Sequence, residues 1–506
     1  MSDGSEDSLD RLRESRELDF EAFDERVREE GEVIKEALAA GTFDNAGLAI
    51  GLEVEFYAAD RDGHWIRRIP RELLDSIGFD RELGLHNAEL NASVQPYNEP
   101  GLDALLKEIE AKTAALQGRA AAGGLRLVSD GMWTIGPEDG TTRQYLTEAT
   151  EGEGLTLGIN VSNAVRYHGF ASSRRKLVGE IEVPGVGFEA ASPGPVSLTT
   201  SIQPHYQFRR AADLPDRLAA AIRLAGPVLA LGVNSPFLPP ELYDDLSPEI
   251  LLSAGYVENR VPIYEGMMNP VEGPPKVRFP RDVETPAEAV DRVVEDTTII
   301  PAEIEAGERF DDAFVHFRHA HGSYWRWVRP VFDGATEAAA NVRIEFRPLP
   351  AQPTLPDTAA FVAAFAGAMT AIADRDHPIG ELPWERAREN FYAAARDGLD
   401  AELTWITADG ERTDDADRLY ADLFELAVDG LQSAGVSAER ATGWIDPLRD
   451  RVDRRRTPAS WKRAVAAEAL AAGASPAEAI RESQRAYVDR QVESLYDGSF
   501  ADWPDP

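Results

Sequence analysis

Glu53 and Glu55 stand two residues apart in the stretch "IGLEVEFY", near the start of the chain. Side chains alternate faces in an extended backbone, so the two carboxylates share one face and Leu52, Val54 and Phe56 share the other. Like charges on a buried sheet face need a cation or another partner. Three more segments repeat the pattern. In "HNAELNASVQP", Asn87, Glu89, Asn91, Ser93 and Gln95 align against Ala88, Leu90, Ala92 and Val94. In "SLTTSIQPHYQF", Ser197, Thr199, Ser201, Gln203, His205 and Gln207 face away from Leu198, Ile202, Tyr206 and Phe208. In "NVRIEFRPL", Arg343, Glu345 and Arg347 oppose Val342, Ile344 and Phe346. Any one of these fits a half-solvated strand of an antiparallel sheet. Four together, built on Glu, Asn, Gln, His and Arg, predict one sheet with a carboxylate-rich floor and arginines at its margin. Carboxylate oxygens suit Mg²⁺ or Mn²⁺, and guanidinium forks suit phosphate or carboxylate. That is the equipment for moving a phosphoryl group from a nucleotide–metal complex.

The elements that must hold this floor divide the chain into three segments. Residues 1–46 read as an acidic arm and a helix, "FDERVREEGEVIKEALAAG", closed by Gly41. Residues 47–372 carry the strand-like runs, with helices at "GLDALLKEIEAKTAALQGRAAAGG" and "LPDRLAAAIRLAGPVLALG" and a proline-rich loop over 262–285. "FVHFRHAH" reads as a strand. Residues 373–506 are mostly helical in pattern. The predicted fold is α+β, a curved antiparallel sheet forming an open cradle with helices on its outer face.

Composition narrows the function. The 506 residues carry a formal net charge of −37, with six lysines against forty-six arginines. The acids are spread along the chain, which predicts a solvated acidic surface of the kind salt-loving microbes use, where screening offsets self-repulsion. Such a surface repels a phosphate backbone, so no nucleic-acid partner is expected. With no cysteine, disulfides, thiolate nucleophiles and cysteine zinc sites are excluded. "TAAFVAAFAGAMTAIA", the most apolar run, is too short for a bilayer and suits a buried helix. The expectation is a cytoplasmic protein with no membrane partner; assembly into a homo-oligomer is left open.

"GLEVEFY", "ELNASVQP", "TSIQPHYQ", "VNSPF", "HGSYWRWVRP" and "IEFRPLPAQPT" resemble, in order, the motifs of the glutamate–cysteine ligase-like (carboxylate–amine ligase) family, within the glutamine-synthetase-like superfamily. "ENFYAAARDGLDA" also resembles a family segment, and the likeness spans roughly residues 47 to 405. The resemblance implies Mg²⁺ (or Mn²⁺) and ATP in the cradle. ATP would phosphorylate a small carboxylate such as glutamate, and an amine would attack the acyl phosphate. Matched to the motifs, Glu53, Glu55, Glu89 and Glu345 are metal ligands and are expected to share one cation site. His205, Arg329 and Arg347 fall at catalytic positions, and Gln203, Arg326, Arg329 and Arg347 at nucleotide- or substrate-holding ones. Two residues depart from the family pattern. Val54 stands inside the first acidic run, and Gln203 replaces the first histidine of a His-x-His pair. An amide cannot act as an imidazole base, so a nucleotide- or metal-binding regulator that keeps the fold without turnover is the alternative.

Other signals are weaker. His316, His319 and His321 invite a zinc reading, but the H-E-x-x-H pattern is absent and in a strand only two of them share a face. The aromatic–basic "HGSYWRWVRP" could stack single-stranded nucleic acid, which the acidic surface opposes. No P-loop or G-x-G-x-x-G fingerprint occurs. A glycosidase needs two carboxylates across a sugar, rather than four with arginines among them.

Overall fold

Strand β1 (Ala49–Asp60) contains the first acidic pair and is flanked on both sides. The structure, a computed structural model, describes residues 10–506 apart from 11, 16, 63, 153–154, 163, 165–166, 170–178, 270–273, 297 and 306. After β1 come β2 (Asp80–Arg81), β3 (Asn87–Asn91), β4 (Gln95–Pro96) and β5 (Leu125–Val128). Two hairpins follow, β6 (Ala149–Gly152) with β7 (Leu155–Gly158) and β8 (Gly179–Val183) with β9 (Val186–Ala190). Then come β10 (Ile202–Gln207), β11 (Val328–Asp333) and β12 (Asn341–Phe346), and a last small hairpin, β13 (Trp405–Ile406) with β14 (Arg412–Thr413). The main sheet is curved and antiparallel, in the order β11-β12-β10-β1-β3-β2, with β4 and β5 also paired to β1.

The apolar faces read from alternation pack as expected. Leu52, Val54, Phe56, Ile202, Tyr206, Ile344 and Phe346 are all 2% exposed or less. The helices Leu214–Gly232 and Leu355–Asp374 cover this face. Phe346 stacks on Phe365 with ring centroids 4.4 Å apart, and Tyr206 OH shares a hydrogen bond with Thr370 Oγ1 at 3.0 Å. The second of these helices is long and apolar enough to cross a membrane, but 94% of its apolar window is buried inside the protein. Its place in the core accounts for its composition.

Caps fix where the covering helices begin. Asp19 accepts from Glu21 N and Ala22 N to start Phe20–Ala39, and Thr354 accepts from Asp357 N to start Leu355–Asp374. Asn98 caps Glu99–Ala122 through Gly101 N, and a Cβ on Gly101 would meet Pro96 O at 1.9 Å, so only glycine fits that first turn.

Four readings need correction. "FVHFRHAH" is a helical turn and the helix Val315–His321; Phe314, Phe317, Ala320 and His321 recur at helical spacing and are buried together. "HNAELNASVQP" breaks after Asn91, and Val94, counted on an apolar face, is 65% exposed. "SLTTSIQPHYQF" begins in the tight 3₁₀ turn Gly194–Leu198, is extended from Thr199 with isolated bridges at Thr199 and Ser201, and joins the sheet as a strand only from Ile202. The proline-rich loop begins with a helix, Arg260–Met267.

The three segments share one apolar core, which includes Phe23 and Val27, the sheet residues, and Leu419, Ile445 and Leu495. The first helix is pinned by Lys35 Nζ to Asp291 Oδ1 at 2.8 Å and by Glu30 to His316. The last helices, Pro458–Ala471 and Pro476–Ser494, reach back beneath β5. Lys462 Nζ donates to Asp130, Gln484 Nε2 donates to Asp130 Oδ2 at 2.7 Å, and Gln491 Oε1 accepts from Ser129 N at 3.1 Å.

Candidate active site

The register of the sheet sets its polar face out in rows. Arg329 pairs with Glu345, Glu345 with His205, and His205 with Gly51. In the next row Gln203 pairs with Glu53 and Glu53 with Asn91. In the third, Glu55 lies opposite Glu89 and accepts from Ser201 N at 2.8 Å and Ser201 Oγ at 2.9 Å. The odd-numbered residues of each strand therefore meet on one face, as alternation requires.

The carboxylates fall into two adjoining triads rather than the single site expected of four. Glu53, His205 and Glu345 bring ligand atoms within 4.8 Å of one another, and so do Glu55, Glu82 and Glu89. Glu53 and Glu55 point the same way from β1, yet their neighbours on β10 and β3 are offset by one row, which splits the set. Glu82, just beyond β2, accepts from Tyr167 OH at 2.6 Å. Sequence reading missed it because a two-residue strand shows no periodicity. Tyr264, which walls the site together with Trp325, was missed as well, because it lay in the segment read as a loop.

Three cations organise the margin. Arg329 grips Glu345 with Nε at 2.6 Å and Nη2 at 3.1 Å, a two-pronged carboxylate contact. Arg347 Nη1 donates to the same carboxylate and to Gln203 Oε1 at 2.6 Å. Gln203 Nε2 donates to Glu55 Oε1 at 3.0 Å, so this amide links a guanidinium in one row to a carboxylate in the next. Arg343 Nε donates to His205 Nδ1 at 3.2 Å. Val54, the other departure from the motif, is fully buried on the opposite face and has no bearing on the floor. Arg326 does not join the site. It pairs with Asp296 Oδ1 at 2.9 Å and donates to Lys276 O. The odd spacing between Arg326 and Arg329 turns the two side chains to different sides, which corrects the substrate-holding role expected of Arg326. The three histidines also disperse, His316 to Glu30, His319 to Ile300 O and His321 to Pro330 O.

The charges are unevenly balanced. Burial would raise the Glu345 carboxyl, but Arg329, Arg347 and His205 together hold it well below the ordinary range. Burial raises Glu55 to about 7, with the charge of Glu82 adding to it. Burial, then repulsion from Glu53, Glu82 and Glu55, pushes Glu89 well above the ordinary value. Carboxylates held together against repulsion are a donor set that fits a divalent cation. In the other triad, His205 Nε2 is buried without a hydrogen-bond partner, 3.2 Å from Glu53 Oε1. It too fits an added cation.

Two cavities meet at Glu53. One of about 210 Å³ is lined by Glu82, Glu89, Tyr264, Trp325, Arg329 and Arg347. The other, about 550 Å³, runs along the start of β1 past His205, Gln207 and Arg343.

A curved antiparallel sheet with acidic triads and arginine forks on one face is a site whose chemistry suits divalent cations and anionic groups. Residues 49–494 match the family model "Glutamate-cysteine ligase family 2 (GCS2)", and the chain belongs to that family. The membership supports a carbon–nitrogen ligase. A glutamate–cysteine ligase from Francisella tularensis, solved in complex with AMP, is 13% identical, covers 89% of this chain over 90% of its own, and has a TM-score of 0.51; it shares the fold. A bifunctional glutathione synthetase from Pasteurella multocida is 12% identical over 91% of this chain and 54% of its own, with a TM-score of 0.47. No curated protein sequence matches the chain.

Proposed function

We propose that the protein is an ATP-dependent carboxylate–amine ligase of glutamate–cysteine ligase type. The terminal phosphoryl group of ATP passes to the carboxylate of a small substrate, most simply the γ-carboxylate of glutamate. An amine attacks the acyl phosphate, phosphate leaves, and an amide remains. The observation that carries this reading is the floor itself, where five carboxylates in two triads adjoin the forks of Arg329 and Arg347. The AMP held by the solved relative supports a nucleotide here. When bound, divalent cations at the triads supply charge neutralisation for phosphate oxygens.

The chain's own residues do the rest. Glu345 fixes both guanidinium groups, and Gln203 fixes the second from the other side, so Arg347 is already oriented when charge develops on the transferring group. Glu53, His205 and Glu345 in one triad and Glu55, Glu82 and Glu89 in the other present the atoms that would hold Mg²⁺ or Mn²⁺. Tyr264 and Trp325 wall the smaller cavity and would keep water from the acyl phosphate.

The test is ADP release with glutamate over a panel of amino acids, small amines, ammonia and cysteine, in high salt with Mg²⁺ or Mn²⁺. Release that depends on both carboxylate and amine is expected. ATP binding with no amine-dependent release would overturn the ligase and leave a nucleotide-binding regulator.

A further inference from the structure

A third cavity, of about 640 Å³, lies on the other side of the sheet. Its floor is made by Tyr97, Tyr206 and Thr370 and its rim by Arg209, Arg210 and Arg217. Tyr206 and His205 are neighbours on β10 and so point to opposite faces. The sheet separates this cavity from the cradle, and a molecule bound here cannot be a reactant there.

Three arginines around one hollow stand out in a chain of net charge −37. Part of their charge is balanced. Asp213 accepts from Arg210 Nη2 at 2.8 Å and lies 3.7 Å from Arg217 Nη2. Asp374, the other carboxylate in the wall, accepts from Ser433 Oγ at 3.3 Å. Among the described residues, the Arg209 side chain has no ion-pair or hydrogen-bond partner, which leaves one guanidinium in excess. The second observation is independent of charge. Tyr97 is 5% exposed, its ring meets Tyr206 edge to face at 6.2 Å, and its buried hydroxyl, beside Thr370, makes no well-formed hydrogen bond. Arg217 Nε is buried and unpartnered. Buried donors without acceptors are destabilising, and a ligand that brings oxygens to them relieves that cost.

We propose that this cavity binds a small organic oxyanion, a phosphate ester or a carboxylate, with Arg209 and Arg217 on its charge and the Tyr97 hydroxyl donating to one of its oxygens. The volume suits a metabolite rather than a bare ion. The wall is formed by the residues just before β1 and just after β10, so the ligand joins the ends of the two strands that carry Glu53, Glu55, Gln203 and His205.

The test is calorimetric titration of the full chain at fixed potassium chloride with inorganic phosphate, glycerol 3-phosphate and citrate, none of which is a nucleotide or an amino acid. Binding of glycerol 3-phosphate alone identifies a phosphate ester, and binding of citrate alone a carboxylate. Losing a charge-assisted contact in Arg217→Gln should weaken binding about tenfold or more. Tyr97→Phe should weaken it by about fivefold. Arg209→Gln removes an exposed, unpartnered side chain, so it should fold normally and still lose affinity. Ser433→Asp, which adds a carboxylate to the opposite wall, should also lose affinity. Each variant should keep wild-type ADP release in the absence of the probe. No binding of any probe to the wild type, or equal binding to Arg209→Gln and Ser433→Asp, would overturn the proposal.

Discussion

Arg347 and Glu345 are two residues apart on one strand face and act on the same atoms. Glu345→Gln removes the charge that fixes both guanidinium groups, and Arg347→Ala removes the group they would present. Each should lower turnover to background in the ADP-release assay. Phe346→Leu, between them but turned to the core, should keep activity and cost about 1 kcal/mol, read by denaturant titration. Arg329→Lys keeps charge but loses the fork on Glu345, so nucleotide or carboxylate affinity should fall; an unchanged Kd would remove Arg329 from the site. His86 gives a pH test away from the floor. Burial lowers its imidazole from 6.5 to about 4, and the ring lies between Ser197 O at 2.9 Å and Tyr145 OH at 3.1 Å. Between those pH values the unfolded chain holds the proton and the folded chain does not. The His86 contribution should therefore be lost as pH drops from about 6.5 toward 4, by an amount on the order of 3 kcal/mol, while the raised carboxyls of Glu55 and Glu89 act in the opposite direction, so the comparison with a variant isolates it. Urea titrations over this range should show a flatter acid limb in His86→Gln, and an equally steep limb would count against the assignment. The residues legible in the sequence were those whose faces alternation announces: Glu53, Glu55, Glu89, His205 and Glu345. Glu82 and Tyr264 come from segments too short or too irregular to carry a period. The offset between strands that divides one acidic floor into two triads is a property of register, which no single strand contains.

At the level of elements, the helices behind the sheet approach so closely that side chains are excluded. Helix Leu355–Asp374 crosses helix Ala416–Ser433 at Gly367 and Gly430. A Cβ on Gly430 would meet Gly367 O at 1.9 Å, and one on Gly367 would meet Ala427 O at 2.2 Å. Gly430→Ala must push the helices apart and should cost about 1–3 kcal/mol, visible as a lower Tm. A Tm equal to that of the wild type would mean the crossing is looser than described. Helix positions were readable because each covering helix has a continuous apolar pattern, as in "LPDRLAAAIRLAGPVLALG", and Leu355–Asp374 has a clear cap at Thr354 as well. "FVHFRHAH" was not, since its alternation and its three-residue spacing fit a strand and a helix equally well. Packing decided between them, through the burial of Phe314 and Phe317.

Over the whole molecule, the charge of −37 and the scarcity of lysine lead to an expectation about solvent. Dialysis from molar potassium chloride into dilute buffer should lower the melting transition and the activity, because the spread carboxylates then repel without screening. An unshifted transition at low salt would contradict this. The ion pair between Lys462 and Asp130 adds a consequence of another kind. Both groups are buried, and they stand 332 positions apart in the chain. Gln484 and Gln491, still later in the sequence, complete the same cluster. During synthesis the N-terminal half of the cradle leaves the ribosome long before these partners exist, and Asp130 then has no counter-charge to enter the core with. The sheet therefore cannot close one strand at a time behind the growing chain. The Asp130 end of the sheet must wait for Lys462, and a chain cut before Lys462 would bury Asp130 without its counter-charge even though the helices that cover the sheet are already present.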